Sequence, residues 1–380
     1  MQPQNFYDFR ALAQRRLPKG LFEYIDRGTE NEVALRALRD SLDAIQIVPQ
    51  ALTGHGARDF TTNIMGKELA LPLIVAPTAL AGLVSHNGEV KLGRAAMKAG
   101  IPVCVSTQSI TAVEDIRAGA SDADIWFQLY MWRDRKLTRE LLDRVWASGV
   151  TTLVLTADTP VGPNREYNTR NGFAMPMTPT FRAGLDIALH PGWLFGVILA
   201  YLRTTGMPTY GHYPKEHQVA ITGAPSSEAV ALEERLNWDD FVALRQQWRG
   251  ELVIKGLLSV ADALLAQKLG ADAIVVSTHG GRNLDSAPTT ARVLPDIADA
   301  VGEKLTVLAD SGVQRGSDVL KYVGLGAKAV MAGRLPLWGL ATGGETGADA
   351  IFAMIKREMD VTMAMLGLEK PSEIAPHIIR

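Results

Sequence analysis

The sequence predicts an α/β protein: a closed (β/α)8 TIM barrel with an N-terminal helical segment and a long insertion after the fourth strand. Three observations carry this reading. Eight apolar, β-rich runs each stop abruptly in polar or glycine residues, helix-length segments lie between them, and the turn after the first run, Ala76-Pro77-Thr78-Ala79-Leu80-Ala81-Gly82, has no G-x-G-x-x-G. Continuous apolar runs mark strands buried on both faces of a parallel sheet. An open doubly wound sheet would usually carry its glycine-rich turn after the first strand, so the closed barrel is favoured.

In chain order the predicted strands are 73–76, 103–105, 126–127, 153–155, 252–254, 273–276, 305–309 and 329–332. They run respectively into Pro77-Thr78, Ser106-Thr107, Gln128-Leu129-Tyr130, Thr156-Ala157-Asp158, Lys255-Gly256, Ser277-Thr278-His279, Asp310-Ser311-Gly312 and Gly333-Arg334. Helices are expected over 89–99, 137–147, 260–269 and 316–324. A barrel core takes roughly 250 residues. The chain of 380 is therefore read as one domain over 1–380, with a helical segment over 1–70, a barrel over 71–370 and an insertion over 170–236.

Within the first segment Leu21, Phe22, Tyr24 and Ile25 fall on one side of a short helix, and Thr29-Glu30-Asn31-Glu32 reads as a capping box for the next. The start of the chain has no apolar leader, and Arg15-Arg16 is followed by Leu17-Pro18-Lys19, which is no twin-arginine signal; a cytoplasmic address is expected. The insertion is rich in Pro, Gly and Met and holds a polar stretch over 223–228, and its length marks it as functional or mobile. Its uncharged run 193–202 would span roughly 15 Å as a helix, half a bilayer core, so it cannot cross a membrane. It is either a helix packed on the barrel or on a neighbouring subunit, or a peripheral membrane contact at the inner membrane face.

Lys plus Arg number 39 against 41 Asp plus Glu, which leaves no basic field for nucleic acid and points to small-molecule partners. Cys104, the only cysteine, excludes an intramolecular disulfide and a thiolate metal cluster; it is expected to pack in the second strand, and no metal site is expected. The densest chemistry is Ser277-Thr278-His279-Gly280-Gly281-Arg282-Asn283-Leu284-Asp285. An imidazole, a guanidinium and paired glycines where a buried strand meets solvent suit chemistry on an anionic substrate.

These blocks, together with Tyr24, Thr156-Ala157-Asp158-Thr159-Pro160 and Arg165-Glu166, occur in the order and near the spacings of the FMN-dependent (S)-2-hydroxy acid oxidases and dehydrogenases. The chain resembles that family, which includes glycolate, lactate and mandelate enzymes, over nearly its whole length. The resemblance implies oxidation of an (S)-2-hydroxy acid to the 2-oxo acid with FMN as cofactor. It implies His279 as the catalytic base, Asp158 as the carboxylate that orients it, and Arg165 and Arg282 as the grip on the substrate carboxylate, with Tyr24 and Tyr130 bonding substrate. Flavin contacts are implied for Pro77, Thr78, Ala79, Ser106, Gln128, Thr156 and Ser277, with Lys255 at the N1/O2 edge. Asp310, Gly312, Gly333 and Arg334 are implied for the ribityl and phosphate end.

One departure stands out. Where the family has Asp-(Gly/Ser)-Gly-x-Arg, this chain reads Asp310-Ser311-Gly312-Val313-Gln314, with Arg315 one place later as the expected substitute. Gln108 stands where glycolate enzymes carry a bulky aromatic, which suggests a lactate-, mandelate- or medium-chain-like acid. Ala79 leans toward oxygen as electron acceptor, the apolar insertion toward a membrane quinone. The resemblance also implies a homo-oligomer, with tetramers common. The rival readings are an FMN barrel of the isomerase or amide-oxidoreductase kind and a non-catalytic barrel module.

Overall fold

The computed structural model describes residues 3–54, 56–173, 180–221 and 227–374. The described part begins with three helices, α1 (Phe6–Arg16), α2 (Lys19–Asp26) and α3 (Val33–Ala44). A two-stranded antiparallel ribbon, β1 (Thr62–Ile64) and β2 (Lys67–Leu69), follows. Eight parallel strands then close a barrel in sequence order: β3 (Leu73–Val75), β4 (Val103–Ser106), β5 (Ile125–Leu129), β6 (Thr152–Thr156), β7 (Glu251–Leu257), β8 (Ala273–Val276), β9 (Thr306–Asp310) and β10 (Ala329–Ala332). Closure is made by β10 against β3, Val330 opposite Leu73 and Ala332 opposite Val75. The eight runs read as strands are these eight, and the expected helices appear as Gly88–Ala99, Arg135–Ala147, Val260–Lys268 and Gly316–Gly324.

Alternation along the strands divides the core in two. Ile74, Cys104, Trp126, Val154, Val253, Val275, Leu308 and Met331 fill the barrel interior, and Ile64 and Leu69 of the ribbon join them. The ribbon, which the sequence reading did not anticipate, thus plugs one end of the barrel. Cys104 is buried there, and burial pushes its thiol far above the ordinary range, as expected for a packing residue.

The start of α3 differs from expectation. Glu32 caps it in the left-handed conformation (φ 59°) with no side-chain cap bond, and the Thr29 hydroxyl donates instead to the Asn164 carbonyl at 2.8 Å. The capping carboxylate comes from Asp285, which accepts from the amides of Asn31 and Ala34 at 3.1 Å each. A buried carboxylate from the β8 loop, placed at the positive end of the helix, replaces the local hydroxyl and ties α3 to the barrel mouth.

In the insertion, Phe181–Ala188 is followed by one winding from Pro191 to Thr204 with a π-turn over Leu194–Ile198, the two arms bent by 83°. One side of the second arm docks on the barrel: Val197 and Tyr201 are buried, and the Trp193 indole donates to the Leu83 carbonyl at 2.6 Å. The other side leaves Phe195 and Leu202 exposed, in company with Phe181, Leu185 and Leu189 of the first arm. Among the described residues no single helix is long and apolar enough to cross a membrane, although the bent pair passes by length and composition together. Most of the polar stretch 223–228 lies outside the described residues.

Beneath the second arm, Glu89 is a buried carboxylate that accepts from the amides of Gly82 and Ile110 at 2.9 and 3.1 Å and from the Thr111 hydroxyl at 2.8 Å. Burial outweighs those bonds and pushes its acid upward.

Candidate active site

The C-terminal strand ends surround a cavity of about 460 Å³. Tyr130, Arg165, His279 and Arg282 line it together with Tyr24, while Gly312, Gln314, Gly333 and Arg334 line it with residues of α3. Side chains from both halves of the chain therefore share one space.

The loop after β8 reaches it through three consecutive left-handed residues, His279 (φ 55°), Gly280 (φ 68°) and Gly281 (φ 70°). At Gly281 a Cβ would lie 2.7 Å from the Leu35 amide nitrogen, so only glycine fits; His279 bears the strain of about 1–3 kcal/mol that such a conformation costs a non-glycine residue. His279 Nδ1 lies 2.9 Å from Asp158 Oδ1. That contact favours the Nδ1–H tautomer and leaves Nε2 as the ring's acceptor. Asp158 is held in turn by the Thr159 hydroxyl at 2.9 Å and the Asn283 amide at 3.2 Å. Gly256 (φ 109°) makes room for it, since a Cβ there would stand 2.5 Å from that of Asp158.

Electrostatics suit a base. Burial holds the His279 imidazole below its ordinary 6.5 and outweighs the pull of Asp158 in the other direction, with Lys255 and Arg165 adding to the lowering. Burial would raise Asp158, but the charge and hydrogen bond of His279, with Lys255 beyond, hold it at about 2. Burial, with Asp158 nearby, lifts the Tyr130 phenol to about 12, so it remains a donor.

Arg165 Nε donates to the Arg282 carbonyl at 3.1 Å. The Arg282 guanidinium donates to the carbonyls of Tyr24 at 2.5 Å and Arg27 at 3.2 Å, and lies 5.1 Å from the centre of the Tyr24 ring. Burial first, and then the neighbouring charge of Arg165, push the Arg282 value well below its ordinary 12.5. An anion placed between them would relieve that repulsion.

On the adjoining wall, Ser106 donates to Gln128 at 3.0 Å and Gln128 to Thr156 at 2.9 Å, forming a buried polar chain beside Lys255. Lys255 Nζ lies 2.8 Å from Asp310 Oδ2; burial pulls its value down, but Asp310 and Asp158 overcome this and raise it. Pro77, Thr78 and Ala79 line the same wall.

Two expected contacts have other places. Ser277 is wholly buried, and its hydroxyl accepts from Lys255 Nζ at 2.8 Å and the His279 amide at 3.0 Å, which makes it a support for both. Arg315 turns away to pair with Glu358 at 2.7 Å, drawn to the nearest carboxylate of the C-terminal helix, while Gln314 faces the cavity. Arg315 thus does not stand in for the missing arginine. Asn283, Thr159 and Ser311 were not singled out by sequence; Ser311 accepts from the amides of Thr278 and Gly280 and donates to Asp310 at 2.7 Å, joining the loops after β8 and β9. All three lie inside blocks already marked, which was the available signal.

The donor set fits FMN. A buried ammonium and amide-hydroxyl chain suits the polar edge of an isoalloxazine. Gly333 begins the helix Arg334–Gly343, and a Cβ there would meet its neighbours no closer than 3.7 Å, leaving the free helix N-terminus accessible to a phosphate.

Comparison with known proteins agrees. The family described as FMN-dependent dehydrogenase matches residues 13–380. An L-lactate dehydrogenase of Caulobacter vibrioides is 39% identical over 378 residues, covering 98% of this chain and 96% of that protein. The crystal structure of a monotopic membrane protein, (S)-mandelate dehydrogenase, superposes with a TM-score of 0.92 at 35% identity, with both chains covered in full. A mandelate oxidase bound to (S)-2-phenylpropionate reaches 0.82 at 30% identity, covering 100% of this chain and 98% of that one. The chain belongs to the FMN-dependent dehydrogenase family, the flavoprotein oxidoreductases of 2-hydroxy acids.

Proposed function

We propose that the protein oxidises an (S)-2-hydroxy acid, of lactate, mandelate or medium-chain type, with His279 as the base. The observation that carries this is the contact of His279 Nδ1 with Asp158 at the rim of a cavity that Arg165 and Arg282 also line. The two guanidiniums hold the substrate carboxylate, and the phenols of Tyr24 and Tyr130 bond the oxygens of the substrate. His279 Nε2 takes one proton from the substrate, and Asp158 stabilises the imidazolium that results. FMN, when bound, supplies the acceptor for the electron pair. Lys255 would favour negative charge at the edge of a bound flavin. Gln108, which lines the cavity, leaves room for a side chain larger than that of glycolate.

The electron acceptor is read as a membrane quinone, with the protein peripheral to the inner membrane face. The exposed row Phe181, Leu185, Leu189, Phe195 and Leu202 supports this, as does the likeness to a mandelate dehydrogenase described as monotopic. Ala79, the small residue that leaned toward oxygen, makes oxygen the competing acceptor, and a homo-oligomer remains part of the proposal.

The test begins with colour. The purified protein should be yellow, release FMN on denaturation, and bleach anaerobically with one class in a panel of 2-hydroxy acids. Readmission of oxygen or of a quinone identifies the acceptor. A yellow protein that no hydroxy acid bleaches would return the field to flavin barrels of other chemistry.

A further inference from the structure

The phosphate end of the cavity poses a charge problem. Position 314, where an arginine is implied by the resemblance, is Gln314, and Arg315 is committed to Glu358. Besides Lys255, Arg165 and Arg282, the cations that line the cavity are Arg10, Arg36, Arg39 and Arg334. Arg10 makes a two-pronged pair with Asp26 at 2.6 and 2.5 Å. Arg39 is gripped by Asp318 through two bonds of 2.8 Å and lies 2.8 Å from Asp43. Both are therefore neutralised.

Arg36 differs. Its guanidinium donates to the Asn31 carbonyl at 2.8 Å, and among the described residues it has no carboxylate within ion-pair distance. Its helix is seated against the loop that carries Gln314: the Arg39 guanidinium donates to the Gly312 carbonyl at 3.0 Å, and a Cβ on Gly312 would meet Leu38 and Leu42 at 3.1–3.4 Å. Leu35, Arg36, Leu38 and Arg39 all present themselves to the cavity from α3, as residues three and four apart do. Among the described residues Arg334 also has no carboxylate within ion-pair distance; its guanidinium is bonded to the carbonyls of Ile25, Arg27 and Gly280.

Resting on the reading that this cavity holds FMN, we propose that Arg36 supplies, from the N-terminal helix, the phosphate-end positive charge that position 314 lacks. The planar fork of a guanidinium matches two oxygens of a phosphate, and Arg36 and Arg334 would reach it from two different segments of the chain. Recognition of the cofactor's charged end then depends on α3 lying in place on the barrel.

The test compares FMN with riboflavin, which lacks the phosphate, by flavin fluorescence in equilibrium dialysis of the full-length protein at low and high salt. Arg36→Ala should weaken FMN binding by about tenfold, leave riboflavin binding unchanged, and flatten the salt dependence of FMN binding. Arg36→Lys should retain most of the preference, and Gln314→Arg placed in the Arg36→Ala protein should restore it. FMN affinity unchanged in Arg36→Ala would overturn the assignment. Equal weakening of both flavins would also overturn it, because that is the mark of a loosened α3. If the unaltered protein binds neither flavin, the cofactor reading itself fails, and with it this one.

Discussion

His279 and Asp158, 121 residues apart in the chain, meet at 2.9 Å through Nδ1 and Oδ1, and both sit at the C-terminal edge of the barrel. The pair joins the strand end after β6 to the loop after β8 and sets which imidazole nitrogen is available to substrate.

Asp158→Asn should preserve the fold and the yellow colour while slowing anaerobic flavin reduction by about 10²–10⁴-fold, since the imidazolium loses its counter-charge. His279→Ala should keep the colour and abolish bleaching. Stopped-flow reduction measures both, and a His279→Ala protein that bleaches at the normal rate removes His279 from the mechanism.

The pH profile follows from the lowered imidazole. A base works when unprotonated, so the rate of flavin reduction should rise with pH to a midpoint below 6.5 and stay level through neutrality. Asp158 pulls that midpoint upward, so Asp158→Asn should shift it to still lower pH. A midpoint above 6.5 in the unaltered protein would contradict the electrostatic account.

Glu89 gives a stability prediction. Its acid is raised in the folded protein above an ordinary 4.5, so the native state binds the proton more tightly; the resulting stability is whole below 4.5 and is lost as pH rises through the folded value. Glu89→Gln, which mimics the protonated acid, should therefore gain on the unaltered protein between pH 5 and pH 8 in urea midpoints, on the order of 1 kcal/mol. Glu89→Ala strands three donors and should cost about 3 kcal/mol or more.

For the apolar row, replacing Phe181 and Phe195 together by Glu should lower the fraction of protein that sediments with anionic lipid vesicles by at least about tenfold, given roughly 1.5–3 kcal/mol for each buried aromatic side chain. Undiminished sedimentation would reassign the row to contact with another subunit.

The barrel was legible because each strand is covered on both faces and therefore reads as an unbroken apolar run, as in Ala273-Ile274-Val275-Val276. The ribbon Thr62–Ile64 and Lys67–Leu69 was not, since only Ile64 and Leu69 in it are buried and three-residue strands leave no period to detect. Residues at strand ends, such as His279, Lys255 and Arg334, could be placed from local sequence alone. What could not be read was where a side chain turns once it leaves the strand. Arg315 went to Glu358, and the cap of α3 came from Asp285, more than 250 positions away. Such choices depend on which partner is nearest in space, a quantity that sequence spacing does not contain.

The carbonyls at the end of α2 have one more consequence. Those of Ile25 and Arg27 receive both Arg282 and Arg334, so two interior cations are solvated by a stretch of chain that lies outside the barrel wall. Removing residues 1–28 would take these carbonyls from both at once, with the Gly280 carbonyl still bonded to Arg334, at a cost of several kcal/mol. The opening helices are consequently no detachable preface: they carry the carbonyls on which two arginines of the barrel mouth rest.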